Sequence, residues 1–162
     1  DTDDMSDPSR IGLYGASHGA IATFRLLVAV DWVKADVVIS GALDLETPSP
    51  RTDIEENDAK IFGGSKEERE KRSVVCWPEK LPKNVPILLL NGTSDWRTDP
   101  RGALRFSEKL LDLKIPHRLV LFEGNDHFLK ENWQESRAMA IAWLERFVRN
   151  SEPLPDMEVH GS

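Results

Sequence analysis

The 162 residues, 40% hydrophobic and 30% charged, suffice for one ordinary globular domain with a core of its own. Against 28 acidic side chains stand 21 basic ones, a net charge of −7 that repels a phosphate backbone and argues against nucleic acid as a partner. No run of about 18 apolar residues offers a membrane span, and the single cysteine, Cys76, excludes an intrachain disulfide and fits a reducing, cytoplasmic setting.

In chain order, Ile11–Gly15 reads as a short buried strand after a polar turn. The apolar run from Ala20 to Val28 is too dense for a surface stripe and predicts a largely buried helix. Ala35 to Ser40 is β-branched and bounded by turn residues, a second strand. From Glu46 to Asp58 the chain is polar and holds Pro48 and Pro50, the composition of a surface excursion. Ser65 followed by Glu68 is a capping box that opens a short charged helix. Its basic residues, Lys66 to Arg72, alternate with Glu67, Glu68 and Glu70, which makes a solvated face rather than a nucleic-acid footprint.

Ile87-Leu88-Leu89-Leu90 is a continuous apolar run, the pattern of a strand covered on both faces. Asp99-Pro100 places a cap and a proline at the start of a helix that runs to about Leu113, with Ala103, Phe106, Leu110 and Leu113 on one face. Arg118–Phe122 is a fourth strand. A last helix is predicted from Trp133 to Arg149, with Ala140, Ile141, Leu144, Phe147 and Val148 as its apolar stripe. Residues 151–162, with Pro153 and Pro155, have little to bury and are expected to be a mobile tail. Strands that alternate with helices make a parallel sheet with right-handed crossovers, whose functional groups gather at the carboxyl ends of the strands.

Three loops carry chemistry. Gly15-Ala16-Ser17-His18-Gly19 is a G-x-S-x-G sequence between a predicted strand and a predicted helix. That turn holds the serine at its apex, and Gly15 and Gly19 leave room for it. The backbone N–H of His18 is then an oxyanion donor at a helix N-terminus; its imidazole is read as a rim group. Asp95 lies just past the third strand, and because Asp99 suits the capping role better, Asp95 is open to another. His127 lies just past the fourth. Ser17, Asp95 and His127 thus occur in the chain order of an α/β-hydrolase triad, each at a strand end. Trp96 and Trp133 are candidates for an acyl pocket, packing being the simpler reading of both. His117, at a strand start, and His160, in the tail, receive no role. No two of the four histidines have the spacing of helical zinc ligands, so no metal is expected, and the triad needs no cofactor.

At these residues the chain resembles the C-terminal part of a prolyl oligopeptidase-like (S9-type) or dienelactone hydrolase-like domain. The matching segments are Gly15 to Gly19, Leu90-Asn91-Gly92-Thr93-Ser94-Asp95 and Phe122-Glu123-Gly124-Asn125-Asp126-His127, with Arg72-Ser73-Val74-Val75 before the third strand. Asn91 stands where the family pattern has histidine. Serine rather than cysteine at the elbow favours the peptidase and esterase side.

The resemblance implies residues 1–150 as a truncated or minimal α/β-hydrolase domain, with a partial parallel sheet of about four strands and helices on both faces. It implies a serine hydrolase that cleaves carboxylic esters, or activated amides and short peptides, through a Ser-His-Asp triad and an acyl-enzyme; a small open site favours the ester. The rival reading is a weak or inactive hydrolase fragment that binds or assembles. The strand before Ser17 would then be an exposed edge, filled by a second copy or by an N-terminal half that also brings a second oxyanion donor.

Overall fold

The computed structural model describes residues 7–47 and 52–161. They form a parallel sheet of β1 (Ile11–Ala16), β2 (Val33–Ile39), β3 (Ile87–Gly92) and β4 (His117–Phe122), in the order β1-β2-β3-β4. Between the strands run α1 (Gly19–Ala29), α2 (Thr52–Phe62), α3 (Lys66–Arg72) and α4 (Arg101–Asp112), and α5 (Trp133–Leu144) follows the last strand.

This connectivity decides which face each helix covers. Right-handed crossovers between strands laid down in chain order all return over the same side of the sheet. There Phe24 and Leu27 of α1 and Phe106 and Leu110 of α4 pack with Val38, Ile87 and Leu89. The other side is left to α5, whose Ala140 and Trp143 pack with Val37, Leu88 and Leu90. Alternate residues of β3 thus enter opposite cores, the reason its sequence is an unbroken apolar run.

Local signals explain most element ends. Ser65 accepts a hydrogen bond from Glu68 N at 3.2 Å and caps α3. The Glu68 carboxylate turns to Lys71 and Arg72 instead of completing the box. At α4, Asp99 Oδ1 accepts from Arg101 N at 2.9 Å, so the aspartate caps from just outside the bounded helix.

Three expectations change. The polar excursion contains a helix, α2, which starts at Thr52 beyond the two prolines; Pro48 and Pro50 lie outside the described residues. The last helix is not uniform: α5 ends at Leu144, and Glu145–Arg149 widens into a π turn, with Asn150 N bonded to Glu145 O. Its stripe also shifts. Ile141 is 50% exposed, and Trp143 is the buried residue, its ring edge-on to Phe147 and its Nε1 donating to Pro86 O. An indole with a partner for its N–H is a better core group than the pattern alone credits.

The strand that leads to Ser17 is an edge, as expected. β1 pairs with β2 alone among the described strands, and its Tyr14 is 51% exposed. Gly12 lets the end of α5 lie close on this edge, since a Cβ there would stand 2.6 Å from Leu144 Cδ2.

One core residue is unexpected. Asp36, on β2 between Leu13 of β1 and Ile87 of β3, is wholly buried. Among the described residues neither carboxyl oxygen has a hydrogen-bond partner. The nearby Thr23 hydroxyl donates to Ala20 O at 3.0 Å. Burial pushes the Asp36 carboxyl up to about 7, against weaker opposing effects of Thr23 and the Val37 N–H.

Candidate active site

The chain leaves β1 through Ala16 and turns at Ser17, whose φ of 53° is left-handed. For a residue with a Cβ that conformation costs about 1–2 kcal/mol, so the surroundings must enforce it. Three backbone hydrogen bonds do so. Ser17 N donates to Ile39 O at 3.0 Å, and Ser17 O accepts from Ala20 N and Ala42 N, both at 3.1 Å. Gly15 is required, because a Cβ there would lie 2.9 Å from Gly19 O and from Thr23 Cγ2. Gly19 is not required on the same ground: a Cβ there meets nothing within 4 Å among the described residues. The elbow is tight on one side only. His18 follows at the start of α1 in helical conformation.

Asp95 and His127 come together. His127 Nδ1 lies 2.8 Å from Asp95 Oδ2, with the histidine side chain 5% exposed and the aspartate fully buried. Asp95 Oδ2 also accepts from Thr98 Oγ1 at 2.7 Å, and Oδ1 accepts from Arg97 N and Thr98 N at 2.7 and 3.0 Å. Burial alone would raise this carboxyl. The bonds from His127, Thr98 and Arg97 outweigh it and hold Asp95 below the usual carboxylate range. An ionised Asp95 only accepts, so Nδ1 of His127 carries the proton and Nε2 keeps the lone pair of the neutral ring. The imidazole is steadied by Phe128, edge-on at 5.5 Å.

The two loops that carry this pair are locked to each other. Ser94 N donates to Asn125 O at 2.9 Å, Gly124 N to Thr93 Oγ1 at 2.8 Å, and Thr93 N to Phe122 O at 3.0 Å. Gly92 permits the approach, since a Cβ there would sit 2.3 Å from Asn125 O. Asn125 is buried and bonds through Nδ2 to Asn132 Oδ1 at 2.7 Å, while Asn132 reaches Glu135 at the start of α5. Thr98, Asn125 and Asn132 were not singled out from sequence. Thr98 had a usable signal, a hydroxyl three residues after an aspartate, the spacing of an Asx-type turn.

Ser17, Asp95 and His127 all leave the carboxyl ends of parallel strands, with Ser17 two strands from Asp95. The hydrogen bonds described include none between Ser17 Oγ and His127. Such contacts often close only around substrate. Trp96 is partly buried under the Arg97 guanidinium, 4.8 Å from the ring centre, and Trp133 is half exposed at the start of α5. A cavity of about 310 Å³ opens beside Asp95, between Asp99, Leu104 and Leu121. Neither tryptophan lines it, nor does Ser17. Asn91, in the place of the family histidine, is buried at the end of β3, its Oδ1 without a partner among the described residues, as is Ser40 Oγ just past β2. Among the described residues no three His, Cys, Asp or Glu side chains are grouped to hold a metal ion. No helix among the described residues is long and apolar enough to cross a membrane.

No curated protein matches the chain. Among solved structures, an acylaminoacyl peptidase from Pyrococcus horikoshii superposes with a TM-score of 0.79 at 23% identity, over 94% of this chain and 26% of its own. A puromycin-hydrolyzing peptidase from Mycobacterium tuberculosis gives 0.71 at 24% identity, over 88% of this chain and 22% of its own. A monoacylglycerol lipase from Paleococcus ferrophilus gives 0.61 at 22% identity, over 83% and 68%. At these identities the likeness shows the α/β-hydrolase fold, and the chain spans about a quarter of the length of the two peptidases. The sequence profile of the prolyl oligopeptidase family matches residues 1–151, nearly the whole chain. On that match, and with the fold in agreement, the chain belongs to the prolyl oligopeptidase family.

Proposed function

We propose that this chain carries the catalytic groups of a serine hydrolase acting on small acyl esters. His127 Nε2 takes the Ser17 proton as Oγ attacks the acyl carbonyl. Asp95 holds the imidazole tautomer and stabilises the imidazolium without being protonated itself. His127 then protonates the leaving alcohol, and water hydrolyses the acyl-enzyme by the same path in reverse. The His18 N–H, at the start of α1, is the first oxyanion donor. What chiefly supports the reading is the 2.8 Å bond between His127 Nδ1 and a buried, ionised Asp95. A base oriented in this way has no other evident purpose at a strand end. An ester is preferred to an unactivated peptide because the chain offers few extended contacts to drive amide cleavage.

The exposed β1 edge favours a second reading, a hydrolase part that binds or assembles before it turns over. We join the two: another strand pairs along β1, from a second copy or from an N-terminal hydrolase segment, and brings the second oxyanion donor. Loss of one such donor costs about 10²–10³ in rate where it has been tested. A cytoplasmic setting rests on the lone, exposed Cys76.

The test is labelling by a fluorophosphonate. Label on Ser17, lost in Ser17→Ala and suppressed in His127→Ala, is the expected result. No label, together with no hydrolysis of short p-nitrophenyl esters, would refute catalysis by this chain.

A further inference from the structure

At the opposite end of the sheet a second serine meets a second histidine. Ser107, in the middle of α4, has its Oγ 2.7 Å from Nε2 of His117, the first residue of β4. On its other side the same ring sets Nδ1 2.9 Å from Ile115 O. A carbonyl oxygen only accepts, so Nδ1 carries the hydrogen. When the ring is neutral its lone pair is then on Nε2, and Ser107 is the donor. Ile115 is buried, with its own N–H bonded to Leu110 O at 2.9 Å, so the carbonyl that orients the imidazole is itself fixed. Serine, base and orienting acceptor are the parts that activate a hydroxyl nucleophile. Ser107 and His117 are both only partly buried, within reach of a small reagent.

We propose that Ser107 is an acyl-acceptor site, activated by His117, that takes an acyl group from small activated esters. Ser107 Oγ forms its bond to the acyl carbon while its proton passes to His117 Nε2. The bond from that carbon to the leaving oxygen breaks, the phenolate departs, and the imidazolium returns its proton to solvent. The backbone N–H groups around Ser107 are used inside α4, so no oxyanion hole stands ready to drive deacylation. The acyl group therefore stays, as a stoichiometric modification and not a second hydrolytic cycle. The site shares no residue with the Ser17 centre and does not depend on its activity.

The experiment treats Ser17→Ala protein with p-nitrophenyl acetate at neutral pH and follows acetylation of each serine by peptide mass mapping. Ser17→Gly, which suits the left-handed backbone there, is a second background should the alanine variant fold poorly. Ser151, an exposed serine with no histidine on it, is the internal reference. Ser107 should be acetylated about 100-fold faster than Ser151, the scale of a positioned general base. His117→Gln keeps an acceptor for the Ser107 hydroxyl but removes the base, and should bring the rate down to that of Ser151. Equal rates at Ser107 and Ser151, or an undiminished rate in His117→Gln, would reduce the pair to a structural tie between α4 and β4 and overturn the proposal.

Discussion

Asp36 and Gly92 show how single residues set conditions that no periodicity reveals. A carboxyl raised from 3.8 to about 7 in the folded chain binds a proton there that the unfolded chain has already lost. Its contribution is therefore least unfavourable below about pH 4, and stability falls as pH rises toward 7. By linkage the loss approaches about 4 kcal/mol at mildly alkaline pH. Asp36→Asn should flatten that slope and stabilise the protein at pH 8 while changing little at pH 4, as measured by urea unfolding at the two pH values. A stability that is the same at pH 5 and pH 8 in the parent would contradict the burial argument. The ionised Asp95 works in the opposite sense and in a lower range: its contribution is present above its unfolded value and fades as acid protonates it. From sequence, Ser17, Asp95 and His127 stand out as candidates because each lies in the turn or loop just past an apolar run, in the order serine, aspartate, histidine. Asp36 was not, because a β-branched segment tolerates one polar letter without losing its pattern. Thr98, Asn125 and Asn132 stayed hidden because what they do depends on contact between loops.

Strands and helices were readable where packing imposes a period, and misread where it does not. β3 and α4 bury regular faces, and both were found within a residue or two of their observed ends. α2 is mostly polar in sequence and reads only as a surface excursion, without a period to mark it as a helix. The change from α to π geometry after Leu144, beside the packed Trp143 and Phe147, breaks the uniform period that a helical wheel assumes. The β3–α4 and β4–α5 loops form a single element in practice, since Asn125 O sits against Gly92. Gly92→Ala would drive a methyl group into that carbonyl. It should cost about 2–3 kcal/mol and displace the His127 loop, with a loss of Ser17 labelling larger than the loss of stability explains. Thermal unfolding alongside the labelling rate tests this, and a variant that labels normally would mean the loops can separate without harm.

At the scale of the molecule the sheet is unevenly finished. One face carries α1, α4 and the Val74–Val85 segment, whereas α5, with Phe147 after it and Leu129 before it, covers the other; Tyr14 stays half exposed at the β1 edge. An apolar edge of this kind pairs or is blunted. In light scattering the chain is expected to exceed the mass of one copy, and Tyr14→Lys to shift it toward the monomer. A strictly monomeric parent that still turns over esters would refute pairing by a second copy and leave β1 unpaired without penalty. The strand order itself was legible only through the resemblance, because periodicity finds strands but does not rank them in space.

That order also shapes how the sheet is made. Each strand pairs with the one before it in the chain, so every step closes the shortest loop the connectivity allows. No strand has to be threaded between two that are already joined. Growth by accretion keeps contacts local for a parallel sheet, a class otherwise slow to fold. It also makes the row of strands severable: division on the outer side of β1 breaks none of the pairings within β1 to β4. Strands β1 to β4 therefore keep their own pairings whatever lies against the outer side of β1.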